Sequence, residues 1–315
     1  QKTMKQRAIL FFFIGIMTGI LQAQTLTLKD AGQLFLKQNL SLIAARYDMD
    51  IAQAQVLQAR LFENPVISLE QNVYNRLNGK YFDMGKDGES GVEIEQVISI
   101  AGQRSNRIRL EKVNKEMAGY QFQEIMRTLH SELNERFVET YFLTRNMAVY
   151  EKEITSLERL LAEMKLQQQK GNISLMEAML LSLKKERNEQ ENQLVAARGE
   201  LNLLLSLPAD ARPELLLDES MLKQLDLSQL SYADLMARMT GRPDLKLART
   251  YIRASQANLK LQKSLAFPEV SFKGTYDRAG NFINNYFAVG ISFSVPIFNR
   301  NQGNIKSARI EIMKA

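Results

Sequence analysis

Apolar residues recur at three- and four-residue steps along most of the chain, a spacing that predicts amphipathic helices. The first such stretch covers 28–63 and ends at Asn64-Pro65, because a proline ring disfavours helix at the residue before it. A much longer stretch, 103–170, contains no proline and a single glycine. At a rise of 1.5 Å per residue it predicts a rod of about 100 Å, which is too long for a compact domain.

The long rod turns back at Gly171-Asn172, which predicts an antiparallel hairpin whose second helix runs to about Ser206. Because that second helix is about half as long as the first, we expect a 40–63 helix to cover the rest of the rod in antiparallel packing. A heptad-like seam marks the inner face of the second helix, with polar interruptions at Arg187 and Gln190. The apolar seam positions are Met176, Leu180, Leu183, Leu194, Ala197, Leu201 and Leu204.

Four short stretches alternate apolar and polar residues instead, which predicts strands with one apolar and one polar face. They form two pairs, and a polar loop at 75–91 joins the strands of the first pair. The apolar positions are Ile67, Leu69, Val73, Val92, Ile94, Ile98 and Ile100 in the first pair, and Val270, Phe272, Tyr276, Phe287, Val289, Ile291, Phe293 and Val295 in the second.

The same order of helix, strand pair and helix is written twice. The segment 230–272 repeats the pattern of 26–69, and "VGISFSVPIFNRNQGNI" (289–305) repeats the strand-to-helix transition of "VEIEQVISIAGQRSNRI" (92–108). A period of about 200 residues indicates a gene duplication rather than a solenoid. The second copy stops early in its own long helix, so we expect a C-terminally incomplete sequence that lacks about 100 residues.

The first residues have the pattern of a cleaved secretory signal peptide. Lys5 and Arg7 precede a short apolar run, and a small residue, Ala23, follows it. The predicted organisation is a signal peptide at 1–23, a first repeat at 24–207 with its helical tip near 171, a linker or equatorial segment at 208–230, and a second repeat at 231–315 that is truncated before its helical hairpin.

Composition excludes several functional classes. The chain of 315 residues has no cysteine, so it offers neither disulfides nor thiolate metal ligands. The formal net charge is +6, but bases alternate with acids along the helices as on a solvated face, so we expect no nucleic-acid partner. His130 is the only histidine, and no phosphate-binding loop or nucleophile motif occurs. We therefore expect neither an enzyme nor a bound cofactor.

Strands that are apolar on one face and polar on the other suit a tilted crossing of a lipid bilayer. Four strands cannot close a barrel alone, and open strand edges are not tolerated in lipid. We therefore expect closure with further copies of the chain. The alternative is a secreted soluble coiled-coil scaffold that carries a small antiparallel sheet.

The chain resembles the outer-membrane efflux protein family typified by TolC. The resemblance rests on "LNLLLSLP" (201–208), "GRPDLKLA" (241–248) and "VPIFNRNQGNI" (295–305), and it extends over nearly all of the chain after residue 23. The last of these motifs, together with "NPVISLEQ" (64–71), is most similar to the heavy-metal cation efflux branch of the family, the CzcC- and CusC-like branch.

This resemblance implies a fold that is mainly α with a β-barrel portion. Long antiparallel coiled-coil helices and two β-hairpins per protomer would assemble as a homotrimer, with a 12-stranded barrel continued by an α-helical barrel. It also implies a location in the Gram-negative outer membrane, extending into the periplasm, with outer-membrane lipid, a periplasmic adaptor (membrane fusion) protein and an inner-membrane pump as partners.

The function that the resemblance implies is the exit duct of a tripartite efflux pump of the RND type, exporting heavy-metal cations. An outer-membrane component of a type I secretion or multidrug efflux system remains an alternative at this point. In each of these roles the duct itself would carry out no chemistry.

Two sets of site residues follow. Glu70, Glu93 and Glu95 would face the pore if the apolar faces meet lipid, and repeated copies would form acidic rings that favour cations, with Lys273 partly offsetting their charge. Ordinary solvated positions on a sheet are the alternative. The helical tip resembles the family's adaptor-contact turn, although a plain turn between helices would look the same. The tip residues are Lys170, Gly171, Asn172 and Ser174.

Overall fold

The computed structural model describes residues 25–315 apart from 86, 167–172, 221–230 and 280–282. The predicted signal peptide and the tip residues Lys170, Gly171 and Asn172 lie outside the described residues. The chain divides into two compact units, described separately below. One comprises Gln1–Ile43 with Ile125–Leu230, and the other comprises Ala44–Glu124 with Ser231–Ala315, each as far as it is described.

The secondary structure is dominated by helices, two of them very long. The helices are α1 (Leu28–Gln38), α2 (Leu40–Gln58), α3 (Gln103–Leu166), α4 (Ile173–Leu204), α5 (Tyr232–Met239), α6 (Pro243–Ser264) and α7 (Gln302–Lys314). The strands are β1 (Thr25–Thr27), β2 (Val66–Gln71), β3 (Tyr74–Asn75), β4 (Lys80–Tyr81), β5 (Ser90–Ser99), β6 (Glu214–Leu216), β7 (Glu269–Asp277) and β8 (Tyr286–Phe293).

The long helix predicted from the sequence is confirmed as α3, which runs for 64 residues without a break. Among the helices of the described residues, none combines the length and the hydropathy needed to cross a bilayer.

The first helical stretch, 28–63, is divided into two helices, and the start of the predicted 40–63 helix is confirmed by α2, which begins at Leu40. Asn39 separates α1 from α2 and caps the second, since its side-chain oxygen accepts a hydrogen bond from the Leu42 N–H at 3.0 Å. The Asn39 amide nitrogen donates to the Leu204 carbonyl at 2.9 Å, which ties this break to the end of α4. The predicted end at residue 63 was wrong. The helix ends at Gln58. Ahead of the proline, the N–H groups of Arg60 and Leu61 donate to carbonyls three residues earlier, which are turn hydrogen bonds and not those of an α-helix.

In the first unit, the apolar stripe of α1 is buried. Ala31 and Phe35 are fully buried, and the Phe35 ring meets the edge of the His130 ring at a centroid distance of 6.3 Å. Leu143 of α3 clusters with Leu194 and Ala197 of α4. The predicted seam of α4 is confirmed, because its C-terminal members are buried and its remaining apolar members are half-buried.

In the second unit, α2 packs antiparallel to the first turns of α3, as predicted. Arg46 near the start of α2 lies over the Phe122 ring, 5.9 Å from its centroid, whereas Glu63 beyond the end of α2 pairs with Arg107 at 4.0 Å. The helices α6 and α7 belong to the same unit. They are joined by a hydrogen bond in which the Asn258 amide of α6 donates to Glu311 of α7 at 3.2 Å.

The four predicted strands form one sheet in the order β2-β5-β7-β8, in which every pair of neighbours is antiparallel. The predictions placed Val73, Ile100 and Val295 in these strands, but the structure places them just beyond the strand ends. This sheet lies wholly in the second unit.

Two small pairings were not predicted. Within the loop after β2, β3 and β4 form a short antiparallel ribbon around Asn78-Gly79, a dipeptide that favours tight hairpin turns. In the first unit, β1 pairs in parallel with β6 in the segment predicted to be a linker. Such two- and three-residue strands are too short to produce a recognisable alternation.

The two helices that follow the sheet strands β5 and β8, α3 and α7, are each preceded by a residue in the left-handed conformation. Gly102, before α3, has φ 73°, and Asn301, before α7, has φ 56°. At the first joint, the Ser105 hydroxyl donates to the Gly102 carbonyl at 2.9 Å. At the second, the Asn301 amide donates to the Gln262 carbonyl at 2.8 Å and to its side-chain oxygen at 3.0 Å.

We predict that Gly102→Ala and Gly119→Ala have effects of opposite sign. A methyl group at Gly102 is strained by the positive φ and would lie 3.2 Å from the Ser105 Oγ, so the substitution should lower the free energy of unfolding by about 1–2 kcal/mol. Gly119 lies inside α3 with open space around its Cα, so alanine there should raise that free energy by about 0.5–1 kcal/mol. Urea titrations followed by circular dichroism check both values, and equal effects would contradict the assigned geometry.

A second prediction concerns the ion pair between α3 and α6. Arg253 donates to both carboxylate oxygens of Glu116, at 2.9 and 2.8 Å, and these bonds hold the pKa of Glu116 below its ordinary value of 4.5. A lowered folded-state pKa contributes stability above pH 4.5 that is lost as the pH falls through the lowered value. Since both groups are partly exposed, the contribution should stay below about 1 kcal/mol.

The measurement compares Arg253→Met with the wild type in urea titrations from neutral pH down to about pH 3. The difference in unfolding free energy should shrink as the pH falls below 4.5. Arg249→Met, at an exposed position of the same helix, is the control and should show no such trend. A pH-independent difference for Arg253→Met would contradict the prediction.

Candidate functional site

The four-stranded sheet has one face that is almost entirely apolar. Cross-strand partners lie on the same face, and the register aligns Ile67 with Ile94, Ile94 with Gly274, and Gly274 with Val289. These side chains are not covered by the described part of the chain, since Val289 is 93% exposed and Ile67 is 63% exposed. The other exposed apolar members of this face are Leu69, Val92, Ile98, Phe272, Phe287, Ile291 and Phe293.

Three polar side chains lie on this face. Ser90 and Gln71 pair at its hairpin-loop end, where the Ser90 hydroxyl donates to the Gln71 side-chain oxygen at 2.7 Å. Gln96 lies between apolar residues, and its side-chain amide donates to the Glu63 carbonyl at 3.0 Å and to the Val97 carbonyl at 2.9 Å. This amide is therefore satisfied by the backbone, so the face remains compatible with a solvent that offers no hydrogen bonds.

The opposite face of the sheet is polar and carries the predicted pore residues. One cross-strand row consists of Val66, Glu95, Lys273 and Gly290, and the next consists of Ser68, Glu93, Thr275 and Ala288. The structure thus places Glu93, Glu95 and Lys273 side by side on one face.

These three residues form a compact charged cluster, hereafter the lysine triad. The Lys273 Nζ lies 3.1 Å from Glu93 Oε1 and 3.2 Å from Glu95 Oε2. The Thr275 hydroxyl donates to the other oxygen of Glu93 at 3.4 Å, and the Ser271 hydroxyl bonds to Glu95. One ammonium group therefore bridges two carboxylates, and the triad carries one net negative charge.

Glu70, the remaining predicted pore residue, lies on the same face but outside the triad. It pairs in register with Gly91, next to Asp277, at the hairpin-loop end of the sheet. With Glu89 and Asn72 these residues line an open recess of about 470 Å³. Among the described residues, no group of three or more histidine, aspartate or glutamate side chains is arranged to hold a metal ion.

The loop between β2 and β5 is ordered by another carboxylate, which the sequence did not reveal. Asp83 is buried and accepts hydrogen bonds from the side chains of Asn78 and Asn75 and from the Gly85 N–H. These bonds, that from Asn78 above all, hold the pKa of Asp83 below its usual value. Asp83 therefore acts as a structural anchor for the loop, beyond the ends of the strands.

Of the predicted tip residues, only Ser174 lies in the described part of the chain. It is the second residue of α4 and is exposed. The role of the tip thus remains a prediction.

The sequence placed Ser271, Thr275 and Asp277 on the polar face of their strand but did not single them out as members of the site. Their alternation with Val270, Phe272 and Tyr276 was visible in the sequence, but which residue of β5 lies opposite each of them is a matter of register.

Comparison with known proteins gives a consistent result. No protein-family model matches the chain. The chain is 24% identical to the cobalt-zinc-cadmium resistance protein CzcC of Cupriavidus metallidurans, in an alignment that covers 93% of this chain and 68% of CzcC.

Solved outer-membrane proteins share the fold. The chain superposes on CusC with a TM-score of 0.71 and 18% identity over 91% of this chain and 70% of CusC. It superposes on the open-state outer-membrane channel MtrE of Neisseria gonorrhoeae with a TM-score of 0.70 and 15% identity over 91% of this chain and 67% of MtrE. The outer-membrane protein VceC of Vibrio cholerae gives a TM-score of 0.66 and 16% identity over 91% of this chain and 73% of VceC.

The predicted fold class is therefore confirmed, with long helices combined with antiparallel hairpin strands. The sequence likeness to CzcC and the fold shared with CusC, VceC and MtrE agree with each other, and the chain has the TolC-like fold of these outer-membrane channels.

Proposed function

We propose that this chain is the outer-membrane exit duct of a tripartite efflux system, and that its cargo is heavy-metal cations. The observation that carries the proposal is the two-faced sheet, with an exposed apolar face and a charged polar face. An apolar face of this kind is stable against lipid, whereas in water it would be a large exposed patch of the sort found at interaction sites. The polar face then lines an aqueous path.

Closure of the barrel requires other copies of the chain. Within the described residues, β2 and β8 are the outer strands of the sheet, so each leaves one edge without a partner strand. Unpaired backbone groups are too costly in lipid, and pairing of β2 with β8 of a neighbouring protomer satisfies both edges. The resemblance to the TolC family supports a homotrimer, in which three four-stranded sheets would make one barrel.

The remaining partners in the proposal are a periplasmic adaptor and an inner-membrane pump. The adaptor would contact the helical tip through Lys170, Gly171, Asn172 and Ser174, and energy for transport would come from the pump. In this arrangement the duct is a passive pore and carries out no chemical step.

Two observations support cations as cargo. CzcC is by its name a resistance protein for cobalt, zinc and cadmium. The polar face of the described strands carries Glu70, Glu93, Glu95, Glu269 and Asp277 against a single base, Lys273. A surplus of carboxylates in a pore attracts cations and repels anions.

A pair of substitutions on one strand tests which face meets lipid. Val289→Arg places a charge on the apolar face of β8, and Ser292→Arg places the same charge on its polar face. The first should destabilise the inserted protein by about 2–4 kcal/mol per protomer, whereas the second should insert normally. Folding of the full-length protein into lipid vesicles, monitored by protection from protease, gives the readout. Equal insertion of both variants would overturn the assignment of the faces.

The channel function is tested by adding the full-length protein to planar lipid bilayers. We expect discrete conductance steps, with a reversal potential in a KCl gradient that indicates cation preference. A soluble scaffold would give no steps.

The cargo is tested by loss of the gene, which should lower cellular tolerance to cobalt, zinc or cadmium. Unchanged metal tolerance combined with lost export of a protein or drug would favour a type I secretion or multidrug system.

A further inference from the structure

The lysine triad holds all the charges of two adjacent cross-strand rows of the polar face, and the next row towards the hairpin loops carries the carboxylates Glu70 and Asp277. Its two cross-strand rows contain, besides the triad, only Val66, Ser68, Thr275, Ala288 and Gly290, and none of these side chains carries a charge. The neighbouring row towards the helices consists of Val97, Ser271 and Ser292, which are also uncharged. Within the described strands, the net charge at this level is therefore decided by Glu93, Glu95 and Lys273 alone.

The geometry favours the bridging position of the lysine. Lys273 is the direct cross-strand partner of Glu95 and lies diagonally from Glu93, so its side chain reaches both carboxylates without leaving the wall. On its other side, Gly290 has no side chain, and a methyl group there would lie 3.8 Å from the Lys273 Cβ. No side chain of β8 therefore lies against the aliphatic stem of the lysine at this position, while its ammonium group is directed towards the carboxylates of β5.

We infer that Lys273 is a selectivity-determining residue of the pore, which limits its cation preference by neutralising one of two carboxylates at this level. This inference rests on the proposed function, because it requires the polar face to line the conducting path. The carboxylates at the hairpin-loop end, Glu70 and Asp277, form no ion pair with the described basic residues. In a trimer, removal of the lysine would change the triad level from three net negative charges to six.

The test measures reversal potentials of the full-length protein in planar bilayers under a KCl gradient. Lys273→Met should raise the ratio of cation to anion permeability by about twofold to fivefold in 0.1 M salt, where screening acts over about 10 Å. Lys273→Arg, which keeps the charge, should have the same reversal potential as the wild type. Lys263→Met, on an exposed face of α6 outside the sheet, is the matched control and should not change it.

Two further variants keep the inference falsifiable if Lys273→Met assembles poorly. The double variant Lys273→Met with Glu95→Gln preserves the net charge of the triad, so its selectivity should match the wild type. The double variant Glu93→Gln with Glu95→Gln leaves the lysine alone and should shift the reversal potential towards anions. A purely structural role of the triad would change stability and leave these opposite shifts absent.

The outcomes separate the inference from the proposed function. If the wild-type protein inserts and conducts but the reversal potential does not follow the charge of the triad, the inference is wrong and the channel function stands. If the folded wild-type protein produces no conductance, the proposed function fails and the inference fails with it. Shifts that follow the charge in all variants support both.

Discussion

The phase of the cross-strand register is the constraint on which the rest of this structure depends. Side chains alternate along a strand with a period of two, so a slip of one residue in any pairing would move a strand's whole set of side chains to the other face. The observed register keeps Ile67, Ile94 and Val289 together and keeps Glu95 and Lys273 together. Two chemically different surfaces arise from this phase, one suited to lipid and one suited to water and ions.

The edges of the same sheet connect a location in the membrane with the need for further copies of the chain. Its outer strands, β2 and β8, have one unpaired edge each within the described chain. In water such edges are tolerable when they are short or charged, but in lipid every backbone group requires a partner. A lipid location of this sheet therefore requires further strands at both edges, which other copies of the chain would supply.

Much of the fold was predictable because its patterns are long. The 64 residues of α3 provide many turns of consistent spacing, and each of the main strands shows several alternations. Features decided by a single side chain escaped prediction. The start of α2 at residue 40 was expected, but the hydrogen bond that ties Asn39 to Leu204, 165 positions away, was not, because no local pattern announces it.

The candidate site was predictable only in part, for a related reason. Alternation showed that Glu93, Glu95 and Lys273 belong to polar faces, but it could not show that they touch. Glu93 and Lys273 are 180 positions apart, and their contact follows from the pairing of two strands that belong to different hairpins. Charge along a strand can thus be read from sequence, whereas charge balance across strands requires the register.

The two left-handed residues that precede α3 and α7 show one turn made by two different chemistries. At Gly102 the positive φ is met by the absence of a side chain, whereas at Asn301 it is met by a residue whose amide is bonded to Gln262 of α6. The duplicated copies have therefore kept the backbone conformation of this joint while exchanging the residue that makes it.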